Sequence, residues 1–166
     1  TKFHSDIFEN YLNYRNIKKY ITITIRDKSL DNRGANSWNT DVNDAKLYID
    51  YIKSNQLESH AILLIPDTEK DISLEIIDLI KANNLKFYIF HHGSFSIPMR
   101  FLAYSKSDFN FYSTNGPPIL TYFIKNNSYV ILKDDVQGDN VQNFVKKFDK
   151  NIFLKRKSIF YKKYNQ

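Results

Sequence analysis

Apolar and polar positions along the chain switch repeatedly between a period of two and a period of three to four. Tyr20-Ile-Thr-Ile-Thr-Ile-Arg26 alternates β-branched residues, the mark of a strand. Asp27 to Asn36 is polar, holds Gly34 and reads as a loop. From Trp38, a packing anchor, the apolar residues Val42, Ala45, Ile49 and Ile52 recur in steps of four and three. That is a helical stripe, with Thr40 or Asp41 as its N-cap. His60 to Ile65 is a continuous apolar run, expected of a strand covered on both faces, and Pro66-Asp67-Thr68 ends it. Ile72, Ile76, Ile77 and Ile80 form a second helical stripe, closed by Asn83-Asn84.

The alternation continues to the end of the chain. Leu85 to Phe90 reads as a third strand, ending at His91-His92-Gly93, and Ile97 to Ser105 as a short helix with Pro98 in its first turn. Phe109 to Tyr112 reads as a strand, Pro117 to Lys125 as a helix, Tyr129 to Leu132 as a fifth strand and Val141 to Lys150 as an amphipathic helix. Residues 1–19 read as a leading helix or linker, with Ile7, Phe8, Tyr11, Leu12 and Tyr14 on its apolar side. Strands and helices in regular alternation predict the α/β class: a Rossmann-like parallel sheet of about five strands with helices on both faces. Residues 20–150 form that domain, and residues 151–166 a basic tail or helix.

In such a sheet, ligands collect beyond the carboxyl ends of the strands. The predicted ends carry Arg26-Asp27, then Asp67-Thr68-Glu69, His91-His92-Gly93-Ser94, Ser113-Thr114-Asn115-Gly116 and Lys133-Asp134-Asp135. Ser113 to Gly116 precedes two prolines, in a chain with only four glycines and four prolines. Gly116 lets backbone approach a ligand, and Pro117 starts a helix without occupying a useful N–H. Ser113, Thr114 and Asn115 add polar contacts, and the helix start suits an anion. Arg26 can grip a second phosphate bidentately. Two phosphates and a positive pocket suggest a nucleoside diphosphate. The plainer alternative makes Gly-Pro only a turn and Arg26, His91 and His92 strand-end surface residues.

Composition narrows this picture. The chain has 166 residues, enough for one domain, and no Cys, which removes disulfides, thiolate metal sites and cysteine nucleophiles. No apolar run reaches the ~20 residues of a membrane span. The chain begins Thr-Lys-Phe-His, without a signal-peptide pattern or an initiator Met, so a fragment or trimmed chain located in the cytoplasm is expected. No His/Asp/Glu grouping has metal-ligand spacing, and no Walker or dinucleotide glycine fingerprint is present. The net charge of +6 is unevenly placed: Asn143 to Gln166 holds eight Lys or Arg against one Asp, leaving the remainder at −1.

The ordered segments carry a resemblance. Tyr20 to Asp27 is followed by Arg33, Asn36-Ser37-Trp38, Ile65-Pro66-Asp67-Thr68, Met99-Arg100-Phe101, Ser113-Thr114-Asn115-Gly116-Pro117 and Tyr129 to Lys133. This order resembles the nucleotide-sugar-binding half of GT-B glycosyltransferases, including heptosyltransferases and fucosyltransferases, and related proteins of bacterial surface-polysaccharide clusters. The resemblance implies Arg26, Ser113, Thr114, Asn115 and Gly116 at the donor phosphates, and Asp67 and Thr68 at the nucleoside. Arg33, His92, Arg100 and Lys133 are further candidates, and no cofactor is implied. The implied partners are a nucleoside-diphosphate sugar, a glycan or lipid-linked acceptor and a second Rossmann-like domain that this chain is too short to contain. Gly116 is followed by two prolines where the heptosyltransferase-like pattern has one. The basic end, Phe153 to Tyr164, reads as a solvated helix or as a contact with an anionic membrane surface. The competing function is a non-catalytic module that touches nucleic acid or another partner through this end. The near-neutral body weighs against nucleic acid.

Overall fold

The computed structural model describes residues 1–26, 40–67, 72–113, 118–121, 123–124, 129–133 and 158–162. Arg33, Trp38, Thr68, Thr114 to Pro117, Asp134-Asp135 and the helix expected at Val141 to Lys150 lie outside them. The described elements are α1 (Lys2–Tyr14), β1 (Tyr20–Ile25), α2 (Val42–Ser54), β2 (Ala61–Pro66), α3 (Leu74–Ala82) and β3 (Phe87–Ile89). They continue with α4 (His92–Phe95), α5 (Ile97–Ser105), β4 (Asn110–Ser113), α6 (Pro118–Thr121), β5 (Tyr129–Lys133) and β6 (Ser158–Lys162). The protein is α/β, and its strands pair in parallel in the order β3-β2-β1-β4-β5-β6.

The first three helices stop in the same way. Asn16, Gln56 and Asn84 each take a left-handed backbone, with φ of 51°, 56° and 55°. The next residue then bonds back to the helix: Ile17 N–H to the Leu12 carbonyl, Leu57 to Ile52, and Leu85 to Ile80. Two carbonyls that the helix leaves open are satisfied at each end, and each bond joins two buried apolar residues. The chain is thereby turned toward its next strand three times without a glycine.

The sheet is covered on both faces. Ile21, Ile23 and Ile25 of β1, Ile62 and Leu64 of β2, and Phe111 of β4 pack against α2 and α3. Tyr48, Ile49 and Ile52 come from α2, and Ile76 and Ile80 from α3. The opposite face carries Ala61, Leu63 and Ile65 of β2 under α1 and α5, whose Phe8, Leu12, Met99, Ala103 and Tyr104 close over them. Alternation along β2 therefore feeds two cores, which is why its sequence is apolar throughout.

Three expectations shift. His92–Phe95 is a helical turn rather than part of the rim loop. Among the described residues of the helix expected from Pro117 to Lys125, only Pro118–Thr121 is helical. Beyond it, Phe123 N–H bonds to the Leu120 carbonyl and Ile124 to Thr121, three-residue spacings that tighten the chain out of α-geometry. Ser158–Lys162 is a strand parallel to β5, not a tail or helix. Its Ile159, Phe160 and Tyr161 have strand propensity, which the flanking lysines obscure in the sequence. The sheet accordingly differs from the five strands expected.

Candidate functional site

The strand order fixes where a ligand can sit. From β1 the chain proceeds to β2 and β3 on one side, then returns to place β4 on the other side of β1. In α/β sheets of this kind, a reversal of strand order is where ligands bind, beyond the carboxyl ends of the two flanking strands, here β1 and β4. Thr22 is level with Asn110, and Ile23 with Phe111. The same register continued sets Ile25 beside Ser113. Arg26 follows Ile25 directly, so Arg26 and the start of the Ser113–Gly116 segment stand at one crevice. Of the residues proposed for phosphate, Thr114, Asn115 and Gly116 lie outside the described part.

The β1 side of the crevice is closed by its own backbone. Thr40 N–H donates to the Arg26 carbonyl at 2.9 Å, and Arg26 N–H donates to the Thr40 hydroxyl at 3.4 Å. Thr40 is buried. Helix α2 begins just beyond it under a capping box. The Asp41 carboxylate accepts the N–H groups of Asn43 and Asp44, each at 2.9 Å. The Asp44 carboxylate accepts the Asp41 N–H at 3.1 Å. The D-x-x-D spacing was visible in the sequence; only its reciprocal use was missed.

Asp67 lies one strand away from the reversal on the β2 side. Its N–H donates to the Ile25 carbonyl at 2.7 Å, extending the β1–β2 pairing by one bond. Its carboxylate pairs with Arg100 Nη1 at 2.8 Å, both side chains being nearly buried. Arg100 also donates from Nε to the Gly93 carbonyl and from Nη2 to the Pro66 carbonyl. The Ser94 hydroxyl reaches the same Pro66 carbonyl at 2.6 Å. Arg100 is thus the centre of a clasp holding the end of β2 to α4 and α5. Its guanidinium engages protein on all three nitrogens, and one oxygen of Asp67 is committed to it. Gly93 is required here by space: a Cβ would stand 3.0 Å from both the Ile65 and Phe90 side chains.

His92 is set apart from the reversal. It follows β3, two strands from β1, and its ring lies 5.8 Å from that of Phe90 and 6.4 Å from that of Tyr11. Lys133 ends β5, next to β4, one residue past the Ser113–Leu132 pair. The structure therefore gathers Arg26, Ser113 and the backbone of Lys133 near one edge, holds Asp67 in a clasp, and leaves His92 outside.

Sequence reasoning also missed a buried polar layer directly below the crevice. On β1, Tyr20, Thr22 and Thr24 face α5 while the intervening isoleucines face α2. Tyr20 donates to the Ala103 carbonyl at 2.9 Å, Thr22 to the Asn110 side chain, and Thr24 pairs with the Tyr104 hydroxyl at 2.7 Å. Asn110 donates to the Tyr104 carbonyl at 3.1 Å, and Tyr112 pairs with Thr121 of α6 at 2.6 Å. Burial pushes the Tyr104 hydroxyl well above its ordinary range, outweighing the opposing influences of Arg100 and the Thr24 bond. Tyr104 is therefore a neutral hydrogen-bonding hydroxyl near pH 7, not a base. Among the described residues no cluster of three His, Asp or Glu could hold a metal, and no helix is long and apolar enough to cross a membrane.

No family model, curated protein or solved structure matches this chain. Function rests on the geometry.

Proposed function

We propose that this chain is a Rossmann-like donor domain that binds a nucleoside-diphosphate sugar, the nucleotide-binding half of a GT-B-type glycosyltransferase. The observation that carries the reading is the reversal of strand order between β1 and β4. Two segments far apart in sequence, Arg26 and Ser113–Gly116, were singled out as phosphate contacts, and both begin at the carboxyl ends of the strands flanking that reversal.

The division of labour differs from the one the sequence suggested. A four-residue α6 contributes little macrodipole, because the dipole builds up over successive aligned peptides. Arg26 then supplies most of the attraction for the diphosphate, with the polar Ser113–Gly116 segment positioning it. Asp67, with one oxygen held by Arg100, keeps its other oxygen for a ribose hydroxyl. Sugar transfer requires an acceptor site, supplied by the second domain. The acceptor is a glycan or glycolipid, and the work is done in the cytoplasm at the inner membrane surface.

Calorimetric titration with UDP, GDP, ADP and CMP, in low and high salt, tests the reading. One nucleotide is expected to bind saturably, and Arg26→Ala to weaken it by the ~1.5–3 kcal/mol of a charge-assisted hydrogen bond, roughly ten- to a hundredfold. Equal affinity for the parent and Arg26→Ala removes Arg26 from the site. No binding by any nucleotide removes the donor-domain assignment for the isolated chain.

A further inference from the structure

Helix α1 has two apolar sides, and the core uses only one of them. Phe8 and Leu12 are buried over the sheet. Phe3, Ile7 and Tyr14 lie on the other side, within about 40° of one another around the helix axis. They are 69%, 37% and 87% exposed. Scattered exposed apolar residues are ordinary, but these three are aligned along the whole length of one helix.

The charge around this stripe is positive. Lys2 precedes Phe3, and Arg15, Lys18 and Lys19 follow Tyr14. The Arg15 guanidinium carbon lies 6.0 Å from the centre of the Tyr14 ring and 5.1 Å from that of Tyr88. Lys86 Nζ stands 5.5 Å from the same Tyr88 ring. Among the described residues, none of Lys2, Arg15, Lys18, Lys19 and Lys86 has an ion-pair partner. The two acids of α1 stand aside. Glu9 is paired with Lys106, and Asp6 lies about 60° off the stripe, on the side away from Ile7.

We propose that α1 docks this protein on an anionic phospholipid surface, lying in the plane of the bilayer. Phe3 and Ile7 enter the boundary between headgroups and acyl chains, and Tyr14 joins them with its ring while its hydroxyl stays wet. Lys2 at one end of the helix, and Arg15, Lys18, Lys19 and Lys86 at the other, reach lipid phosphates on their long stems. The 13 residues of α1 span about 20 Å, short of the ~30 Å hydrocarbon core, so the helix rests on the membrane and does not cross it. Charge selects lipid over a second copy of this chain: two α1 helices laid together, parallel or antiparallel, bring cations against cations. A nucleic acid would meet the cations but leave Ile7 without an apolar partner. The sequence had assigned membrane contact to the basic end, yet Ser158–Lys162 of that segment is paired into the sheet as β6. This deepens the membrane-surface part of the function proposed above, but it stands on α1 and does not require nucleotide binding.

The experiment is cosedimentation of the whole chain with vesicles of phosphatidylcholine alone and of phosphatidylcholine mixed equally with phosphatidylglycerol, in low and high salt. The parent is expected to bind the anionic vesicles, to ignore the neutral ones and to be released by salt. Phe3→Gln/Tyr14→Gln and, separately, Arg15→Gln/Lys18→Gln/Lys19→Gln should each weaken binding at least about tenfold. Both change exposed residues, and each covers the case in which the other does not fold. Lys155→Gln/Arg156→Gln/Lys157→Gln, in the basic end, should weaken it less than about twofold. A parent that ignores anionic vesicles overturns the proposal, as does binding unchanged in the folded α1 variants or lost only in the basic-end variant. Sedimentation velocity and a single-stranded oligonucleotide test the other occupants. A dimer abolished by Phe3→Gln/Tyr14→Gln, or oligonucleotide binding abolished by the Arg15 variant, in a protein that ignores vesicles, overturns it too. Nucleotide titration without vesicles reads the donor site separately: vesicle binding without nucleotide binding removes the donor-domain reading and leaves the docking helix standing.

Discussion

Ile23 and Thr24 are neighbours on one central strand, both buried, and they face opposite worlds. Ile23 points into a layer shared with α2 and α3 that is built almost wholly of hydrocarbon and aromatic rings, among them Tyr48, Tyr51 and Phe111. Thr24 points toward α5, into a layer where Tyr20, Thr22, Tyr104, Asn110, Tyr112 and Thr121 all find hydrogen-bond partners. The first layer holds its helices by volume and area. The second holds them by direction, because a hydroxyl pair at 2.7 Å does not tolerate a helix sliding by a residue. The polar layer lies under the carboxyl ends of β1 and β4 and ties α5 and α6 to them. Precision is thus greatest below the crevice, where a binding site needs it.

The largest effect that separates the two layers comes from deleting volume on the dry side. Ile23→Ala should cost about 2–5 kcal/mol, the lost transfer energy plus the cavity left beneath α2. Chemical denaturation of the parent and variant measures it. A cost below about 1 kcal/mol would mean that this layer is loosely packed and that the contrast drawn here is false.

Thr24→Val, its neighbour of nearly equal volume, tests the other layer. No cavity forms, but the Tyr104 hydroxyl loses a partner inside the protein. The expected cost is about 1–3 kcal/mol, the penalty for an orphaned buried polar group. Restoring apolar matching with Tyr104→Phe in the same chain should recover part of that loss. A double-mutant cycle showing no coupling between positions 24 and 104 would rule out a directional role for the pair.

The contrast between the layers also marks what a sequence yields. Helical and strand periods are local, so α2, α5 and the strands β1, β2 and β4 were legible within a residue or two, while α1 stops at Tyr14, short of the 1–19 expected. The double burial of β2 was legible because both of its faces are apolar. Thr22 and Thr24 carried the sign of a polar inner face, yet their partners come from α5 and β4, and only the register of β1 on β4 brings them together. The placing of Arg26 and Ser113 at strand ends was legible too, since β1 ends at Ile25 and β4 at Ser113. Arg100 could not be assigned from sequence, because its pairing with Asp67 and the Pro66 and Gly93 carbonyls depends on how α5 docks. The short α6 was overcalled, since Ile119, Leu120 and Phe123 have helical spacing that three-residue turns satisfy equally well.

The smallest effect should come from the one phenol in the dry layer whose hydroxyl finds no partner among the described residues, Tyr48. Its ring packs on Phe111 with centroids 5.5 Å apart, and Phe would keep that contact. Near pH 7, Tyr48→Phe should therefore leave stability unchanged or raise it slightly, because it removes a polar atom that folding strips of water. Burial, helped by the charge of Asp44, raises the Tyr48 hydroxyl well above its ordinary value of 10. In the unfolded chain the phenol ionises near 10, whereas the folded protein keeps its proton to higher pH. The parent's stability is then complete below pH 10 and falls as pH rises beyond it, by up to ~1.4 kcal/mol per pH unit from this residue. Tyr48→Phe lacks that loss, so the variant's stability relative to the parent should rise further in alkali. Denaturation midpoints at pH 7 and pH 10.5 decide the matter. A variant clearly weaker at pH 7 would show that the hydroxyl has a partner, and that the layer under α2 is less dry than its residues suggest.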